Sequence, residues 1–288
     1  MQIKSFLLLL TLVFCLLKVD RIYANDKKIA ITIDDAPMVS SQLFSGIERT
    51  KKIINSLDEP AGIFVIGENI LNNSGKEHLK LYDEAGHIIG NHTYSHYSCR
   101  KVSAEKFITD IEKADSLLKN CKNFKKIFRY PYLDQCKAKE KKAKVSKYLE
   151  DKGYINGYVT IVTLDWHMNN LLQKALKKGK KINYSKLKEL YLETMIGYVH
   201  FYHKVYIEKL GFSPPHSLLL HENDLNALYL RDLIALLKDN GWDIILPQDV
   251  YKDERVVDNV NKARKNLPNI DTLKPAYIDK LFNEVTVE

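Results

Sequence analysis

The chain has 288 residues, of which 45% are hydrophobic and 28% charged, and its formal net charge is +8. This composition is typical of a globular protein with enough apolar material for a core, and it excludes a chain that is disordered over most of its length. The length suits one large α/β domain or two small ones.

The N-terminal residues have the pattern of a secretory signal peptide. Lys4 precedes the short apolar run SFLLLLTLVFCLL, and the stretch closes with IYA, which offers a small residue for cleavage. We therefore expect residues 1–24 to be removed and the protein to be exported, to the periplasm or the extracellular space. Because Lys18, Asp20 and Arg21 charge the cleavage region, an uncleaved segment that anchors the chain in the inner membrane stays open as an alternative.

The residues that follow alternate between strand and helix patterns. The predicted strands are IAITIDD, AGIFVIG, HIIGNHTYSH where the strand runs into a loop, KIFRYPY broken by Pro131, GYVTIVTLDW, SLLLHEND and WDIILP. The predicted helices are IERTKKIINSL, KEHLKLYDEAG, AEKFITDIEKADSLLK with Ser103 as its N-cap, EKKAKVSKYLEDKG, most of 168–210 with a break near Gly179, and LNALYLRDLIALLKDNG. Such alternation predicts parallel strands joined by crossover helices, and a closed barrel is one solution.

We predict that this alternating part, residues 25–250, forms one α/β domain. The long helical stretch at about 168–216 precedes the last strands, and we interpret it as a helical insertion. Residues 251–288 lack the alternation, so we interpret them as a C-terminal extension with a short helix at PAYIDKLFN.

Polar residues stand where several of the predicted strands end. In a parallel α/β fold, functional groups gather at the carboxyl ends of the strands. The residues at these positions are Asp34 and Asp35, His92 and His96, Arg129, Asp165, and His221. A packed core has no use for such groups, so we expect them to form one site.

Two of these positions together predict a metal site. The adjacent carboxylates of Asp34 and Asp35 repel each other unless a positive charge lies beside them. His92 and His96 are spaced so that both imidazoles can reach one point. Two histidines and one carboxylate leave a coordination position for water, which is the pattern of a catalytic rather than a structural zinc site. The second carboxylate is then a candidate base.

The remaining strand-end residues predict supporting roles. Arginine is seldom buried without a partner. Asp165 is a candidate partner for Arg129, either in a structural ion pair or in an arrangement in which Arg129 holds and tunes the carboxylate base. A histidine such as His221 can donate a proton to a leaving amine near neutral pH, although a histidine in a turn or core is the alternative.

Three cysteines lie beyond the signal segment, namely Cys99, Cys121 and Cys136. An odd number leaves at least one of them unpaired, and we consider Cys121 and Cys136 a candidate bridge. None of them lies in a CxxC pattern, so we do not expect a cysteine metal site.

Taken in order, the segments TIDD, NHTYSH, RYPY, LDW and LLLH resemble the motifs of polysaccharide deacetylases with a NodB homology domain. The resemblance spans about residues 29–247, and the ordered set is far more specific than any single motif. It implies a distorted (β/α) barrel that removes N-acetyl groups from an N-acetylated polysaccharide or a peptidoglycan-type glycan. The insertion and the sequence HEND after the last motif are features of an exported bacterial subgroup.

The resemblance also implies roles for individual residues. Asp35, His92 and His96 would hold a divalent metal, with Zn²⁺ first and Co²⁺, Ni²⁺ or Fe²⁺ also compatible with these donors. Asp34 would be the base, oriented by Arg129, which Asp165 would hold in turn, and His221 would be the general acid.

Three further residues would bind the substrate. The backbone N–H of Tyr132 would help to stabilise the oxyanion, while Trp166 and Leu219 would line a pocket for the acetyl methyl group. The chain departs from the usual motifs at Ala36, where glycine is common, and at Ile33, where phenylalanine is common. Both departures are mild.

Other functions stay open at this stage. The same metal site could hydrolyse a different non-peptide C–N bond, in a formyl group or a small cyclic amide, because fold does not determine substrate. A non-catalytic wall-binding protein could keep the fold, and loss of a ligand or base would favour it, but none is lost.

The lysine-rich runs KNFKKIF, KAKEKKAK and KKGKK carry much of the positive charge. They predict either solvated helix faces and loops or contact with an anionic cell-wall or membrane surface. No nucleic-acid recognition motif accompanies them, so we do not expect a nucleic-acid partner.

Overall fold

The structure is a computed structural model that describes residues 27–253, Val256 and residues 274–287. The expected signal segment and much of the expected C-terminal extension lie outside the described residues. Within those ranges, every helix is too short or too polar to cross a membrane.

Ten strands occur in the described ranges. They are β1 Lys28–Ala36, β2 Gly62–Val65, β3 Ile88–Asn91, β4 Phe124–Phe128, β5 Ile155–Asn156, β6 Ile161–Val162, β7 Lys181–Ile182, β8 His216–His221, β9 Asp243–Ile244 and β10 Thr286–Val287.

The α-helices of the same ranges lie mostly between these strands. They are α1 Gly46–Ile54, α2 Asn73–Glu84, α3 Ala104–Leu118, α4 Lys139–Asp151, α5 Asp165–Lys177, α6 Tyr184–Leu210, α7 Asp224–Asp239, α8 Pro247–Tyr251 and α9 Pro275–Phe282. The predicted N-cap of α3 is confirmed, because the Ser103 side chain accepts a hydrogen bond from the backbone N–H of Lys106.

Eight of the strands form one parallel sheet in the order β5-β4-β3-β2-β1-β8-β6, with β9 paired to the start of β1. β1 is central and almost fully buried, with Ile29 and Ile33 completely inaccessible. Burial on both faces is expected for a parallel sheet whose crossover helices cover it. The predicted distorted (β/α) barrel is confirmed as a curled, parallel half-barrel with surrounding helices.

Only the short strand β6 forms within the expected strand GYVTIVTLDW, and β5 precedes that segment. β5 pairs with β4 at one edge of the sheet, and β6 pairs with β8 at the other. The intervening residues 157–160 span the gap, with Gly157 donating to the carbonyl of Phe128 and Thr160 donating to the carbonyl of Ser217. Four residues reach at most about 14 Å, so the two edges of the sheet must curl toward each other.

The insertion and the C-terminal residues pack together. β10 pairs antiparallel with β7, which lies between the two helices α5 and α6 of the insertion. The helix α9 occupies Pro275–Phe282, within the predicted segment PAYIDKLFN, and its Ile278 and Phe282 are buried in the main core. The break predicted near Gly179 is the turn between α5 and β7.

The predicted Cys121–Cys136 bridge is wrong. Cys136 is bonded to Cys99, and Cys121 is a free, half-buried thiol. The reason is topological, because Cys121 precedes β4 and Cys136 follows it, which places them toward opposite ends of that strand. Cys99 follows β3, the parallel neighbour of β4, and so lies at the same end as Cys136.

We predict that replacing Cys99 and Cys136 together by serine lowers the free energy of unfolding by about 2–4 kcal/mol, because the bridge closes a loop of 37 residues. Urea unfolding measures this loss. Cys121→Ser is the matched control and should change stability by less than about 1 kcal/mol. A disulfide-linked peptide containing Cys121 in a non-reducing digest would contradict the pairing.

Candidate metal and catalytic site

Four of the strand-end residues, Asp35, His92, His96 and His221, line an open cavity of about 470 Å³ at the carboxyl edge of the sheet. It is lined by Asp35, Met38, His92, His96, Tyr132, Leu133, Val162, Thr163, Trp166, Asn170, Leu219 and His221. The expectation that the polar groups meet at one edge of the sheet therefore agrees with the geometry.

Asp35, His92 and His96 bring three ligand atoms together. The Nε2 atoms of His96 and His92 lie 3.2 and 3.4 Å from Oδ1 of Asp35. All three ligand atoms lie within 4.8 Å of one another, which is close enough for one ion to contact them all.

The protonation of His92 follows from its surroundings. Its Nδ1 lies 2.8 Å from the backbone carbonyl of Arg129, which can only accept a hydrogen bond, so Nδ1 carries the proton. Its Nε2 then faces Oδ1 of Asp35. A second hydrogen bond of this kind is how metal-binding histidines are oriented.

Asp35 supplies the clearest sign that a cation belongs here. Its Oδ1 is buried and has no hydrogen-bond partner among the described residues. A buried carboxylate oxygen without a partner is costly. The donor set therefore fits a divalent metal ion, which would satisfy these lone pairs at once.

The charge around Asp35 favours its ionised form. Burial by itself raises the pKa of this carboxyl, but contact with His92 and His96 and the charge of His221 outweigh burial and lower the pKa well below its usual value. Asp35 is therefore a ligand that needs no deprotonation at neutral pH.

The backbone around the ligands is left-handed at three non-glycine residues. The φ angles of Asp35, Thr93 and His96 are 66°, 67° and 54°. Side-chain hydrogen bonds hold the histidine loop in this shape, since Thr93 N–H donates to Asn91 Oδ1 and His96 N–H donates to Thr93 Oγ1. Such conformations persist where the surroundings enforce them, and they cluster at functional sites.

Asp34 forms a buried ion pair with Arg129. The Nη1 of Arg129 donates to Oδ1 of Asp34 over 2.8 Å, and both side chains are at most 4% exposed. The other oxygen of Asp34 lies 3.7 Å from Nε2 of His92, so it faces the metal ligands. The predicted orientation of Asp34 by Arg129 agrees with this geometry.

The prediction that Asp165 holds Arg129 is wrong. The guanidinium points down into the barrel, where its partners are Thr32, Ser217, the hydroxyl of Tyr251, the carbonyl of Gly157 and the ring of Phe64. Asp165 instead follows β6, which lies beside β8, so its neighbour is the residue that ends β8.

That neighbour is His221. One oxygen of Asp165 lies 2.8 Å from Nδ1 of His221, and the other accepts from the backbone N–H of His221 over 2.8 Å. The side-chain amides of Asn223 and Asn226 donate to the same carboxylate. Asp165 is fully buried, and this arrangement orients the imidazole with Nε2 toward the cavity.

This pairing changes the acidity of His221. Burial lowers its pKa, but the charge and hydrogen bond of Asp165 and the charges of Asp35 and Asp34 outweigh burial and raise the pKa to about 9. The imidazole therefore carries a proton at neutral pH, as a general acid must.

The predicted substrate residues also line the cavity. Tyr132 is 69% exposed at the rim and packs its ring 4.6 Å from that of His96. Trp166 is 44% exposed, whereas Leu219 is only 5% exposed and forms part of the floor. Tyr132 has a φ of 56°, so the loop turns sharply at this rim.

Two cross-links join the loop of His96 to the loop of Tyr132. One is the Cys99–Cys136 disulfide. The other is Asp134, which is nearly buried and accepts from Ser98 Oγ and from both the backbone N–H and Nε of Arg100. These contacts fix the distance between a candidate metal ligand and the rim of the cavity.

Sequence analysis missed several residues that support the site. Thr32 and Tyr251 hold Arg129 but look like ordinary strand and helix residues. Asn223 and Asn226 belong to the sequence HENDLN after the last motif, and that cluster of polar residues after a buried strand could have identified them.

The chain is similar in sequence to polysaccharide deacetylases. Residues 22–153 match the sequence profile of the family described as Polysaccharide deacetylase. A peptidoglycan-N-acetylglucosamine deacetylase of Bacillus cereus is 32% identical over 112 residues, which cover 38% of this chain and 37% of that protein. Chitin deacetylase 2 of Saccharomyces cerevisiae is 34% identical over 88 residues, which cover 30% of this chain and 24% of that protein.

Structural comparison extends the likeness beyond the matched sequence. A solved peptidoglycan N-acetylglucosamine deacetylase superposes with a TM-score of 0.56 at 20% identity, covering 82% of this chain and 96% of that one. The sequence match ends before Asp165 and His221, yet in the fold His221 lines the same cavity as Asp35, and Asp165 contacts His221. Residues 22–153 therefore match the polysaccharide deacetylase family, and the chain shares the fold of a solved deacetylase.

Proposed function

We propose that this protein is a metal-dependent hydrolase that removes N-acetyl groups from an N-acetylated glycan of the peptidoglycan or chitin type. The observation that carries the proposal is the arrangement of two ion pairs around one cavity. The carboxylate of Asp34, paired with Arg129, lies beside the candidate metal ligands. The imidazole of His221, which Asp165 keeps protonated, lines the cavity.

Asp35, His92 and His96 would hold the metal. A divalent ion bound there supplies positive charge that acidifies a water molecule and polarises an amide carbonyl. Zn²⁺ suits two imidazoles and one carboxylate, and Co²⁺, Ni²⁺ and Fe²⁺ accept the same donors.

Asp34 acts as the general base. Its Oδ1 is engaged by Arg129, while Oδ2 faces the metal ligands and is placed to take a proton from the attacking water. The buried guanidinium balances the carboxylate charge and fixes its orientation, so that the proton is received at one defined atom.

His221 acts as the general acid. Because Nδ1 is held by Asp165, the proton on Nε2 faces the cavity and can pass to the amine nitrogen as the C–N bond breaks. The backbone N–H of Tyr132 stabilises the oxyanion, and Trp166 and Leu219 provide an apolar wall for the acetyl methyl group.

We propose further that the protein acts outside the cytoplasm. The signal-like N-terminus supports this, and so does the Cys99–Cys136 disulfide, because such bridges persist in oxidising compartments. An uncleaved N-terminal anchor in the inner membrane is the alternative form of this proposal.

A basic surface adjoins the rim of the cavity. It consists of Arg100, Lys101, Lys137, Lys139 and Lys141, and three of these residues line a shallow depression. The disulfide and Asp134 connect it directly to the loops of His96 and Tyr132. We propose that this basic surface attracts anionic groups on the substrate glycan, since exposed charges of one sign raise the local concentration of the opposite sign.

We predict that Asp34→Asn lowers the rate of acetate release by at least about 100-fold, because it removes the proton acceptor while leaving an isosteric side chain. Acetate release from chito-oligosaccharides and from peptidoglycan measures the effect, and Asp151→Asn, the same change at an exposed residue outside the cavity, is the control.

The same assay tests the function as a whole. Complete removal of metal should abolish acetate release, and returning Zn²⁺ should restore it. Turnover that survives complete metal removal would contradict the proposal. Turnover of formyl or cyclic amides in place of N-acetyl glycans would indicate the alternative substrate class, and full activity of Asp34→Asn would contradict its role as base.

The pH dependence of kcat/KM should reflect the ionisation of His221 in its pair with Asp165. His221 is active in its protonated form, which is lost as pH rises through its pKa of about 9. Asp165→Asn removes the charge that raises this pKa, so the alkaline limb of kcat/KM should move to lower pH, toward the ordinary value of 6.5. An unchanged alkaline limb in a folded variant would show that Asp165 does not set this acidity.

For the basic surface, we predict that Lys137→Gln with Lys139→Gln raises KM for acidic peptidoglycan fragments at least about threefold at low salt. KM for neutral chito-oligosaccharides should stay constant, and added salt should remove the difference. Lys177→Gln with Lys178→Gln, on the insertion, is the matched control. Equal changes for acidic and neutral substrates would contradict the proposed contact.

A further inference from the structure

Glu222 is a fully buried carboxylate for which the proposed chemistry has no use. It follows His221 directly and begins the turn between β8 and α7. Burying a charge is unfavourable unless hydrogen bonds compensate for it. The hydrogen-bond partners of Glu222 therefore indicate which segment of the chain it stabilises.

The carboxylate of Glu222 accepts three hydrogen bonds. Oε1 accepts from the hydroxyls of Thr50 and Tyr82, at 2.5 and 3.2 Å, and Oε2 accepts from the backbone N–H of Met38 at 2.7 Å. The Nδ1 of His78 lies 3.8 Å from Oε1. The contact to Met38 matters most, because Met38 follows the candidate ligand Asp35 by only three residues and itself lines the cavity.

Glu222 also holds the chain on the other side of Asp35. Its backbone N–H donates to the carbonyl of Asp34 over 3.1 Å. One residue thus contacts both ends of residues 34–38, and Ile66 N–H donates to the carbonyl of Ala36 between them. The segment held in this way contains Asp35 in its left-handed conformation, with φ at 66°.

The left-handed region is less favourable for a non-glycine residue than an ordinary backbone conformation. If the contact to Met38 were lost, the turn could relax and Oδ1 of Asp35 would move away from His92 and His96. We propose that Glu222 is a positioning residue that holds Asp35 in the geometry in which it binds the metal. This inference rests on the proposed role of Asp35 as a ligand.

A second buried acid, Asp224, provides a matched comparison. It binds Nε of Arg49, whose Nη1 donates to the carbonyls of Met38 and Val39, and it accepts from Ser41 Oγ. Asp224 therefore braces the outer part of the same loop, beyond Asp35, from a position two residues after Glu222.

The test is the affinity for Zn²⁺, measured by competition with a chromophoric chelator on folded protein. Glu222→Ala should raise the dissociation constant at least about tenfold, in line with the loss of other groups that orient metal ligands. Glu222→Gln can still accept from Met38 N–H through its amide oxygen, so its affinity should stay within about threefold of the original. Asp224→Asn should also stay within about threefold.

Circular dichroism and thermal melting establish that each variant is folded. If Glu222→Ala does not fold, Glu222→Asp takes its place, because it keeps the charge but cannot reach both Met38 and Thr50. A folded Glu222→Ala or Glu222→Asp that binds Zn²⁺ as tightly as the original protein would overturn the inference, as would an equal loss in Asp224→Asn.

This experiment is independent of turnover. Original protein that binds Zn²⁺ but releases no acetate would refute the proposed function and leave the positioning role of Glu222 intact. Unchanged Zn²⁺ affinity in Asp35→Ala would instead refute the metal site itself.

Discussion

The site depends on how two adjacent carboxylates are tolerated at the end of the central strand β1. Asp34 is balanced by the buried guanidinium of Arg129, at 2.8 Å. Asp35 is turned the other way by its left-handed backbone and faces His92 and His96, where its buried oxygen has no hydrogen-bond partner among the described residues. One carboxylate is thus paired inside the protein, and the other is left for a cation.

The two ion pairs of the cavity have opposite purposes. In the proposed mechanism, Arg129 fixes the carboxylate that accepts a proton, whereas Asp165 keeps protonated the imidazole that donates one. Environments that separate a base from an acid in this way are how one site performs both kinds of proton transfer near neutral pH. The hydrogen bonds of Asp134 and those of Glu222 hold the loops on which these groups lie.

The sequence predicted the positions of the site residues well but some of their partners poorly. Strand alternation predicts that Asp35, His92 and His221 meet, because the carboxyl ends of parallel strands share one edge. It does not give the order of strands in the sheet, and that order places Asp165 beside His221 rather than Arg129. The cysteine pairing failed for the same reason, since it depends on which strand ends are neighbours.

The central claim is that one cation lies among Asp35, His92 and His96. A crystal structure of the Zn²⁺-loaded protein, with anomalous scattering recorded at the zinc edge, tests it most directly. The account predicts one anomalous peak about 2.0–2.2 Å from Oδ1 of Asp35 and from both Nε2 atoms. A peak elsewhere in a fully loaded crystal, or ligand side chains that point apart, would contradict it.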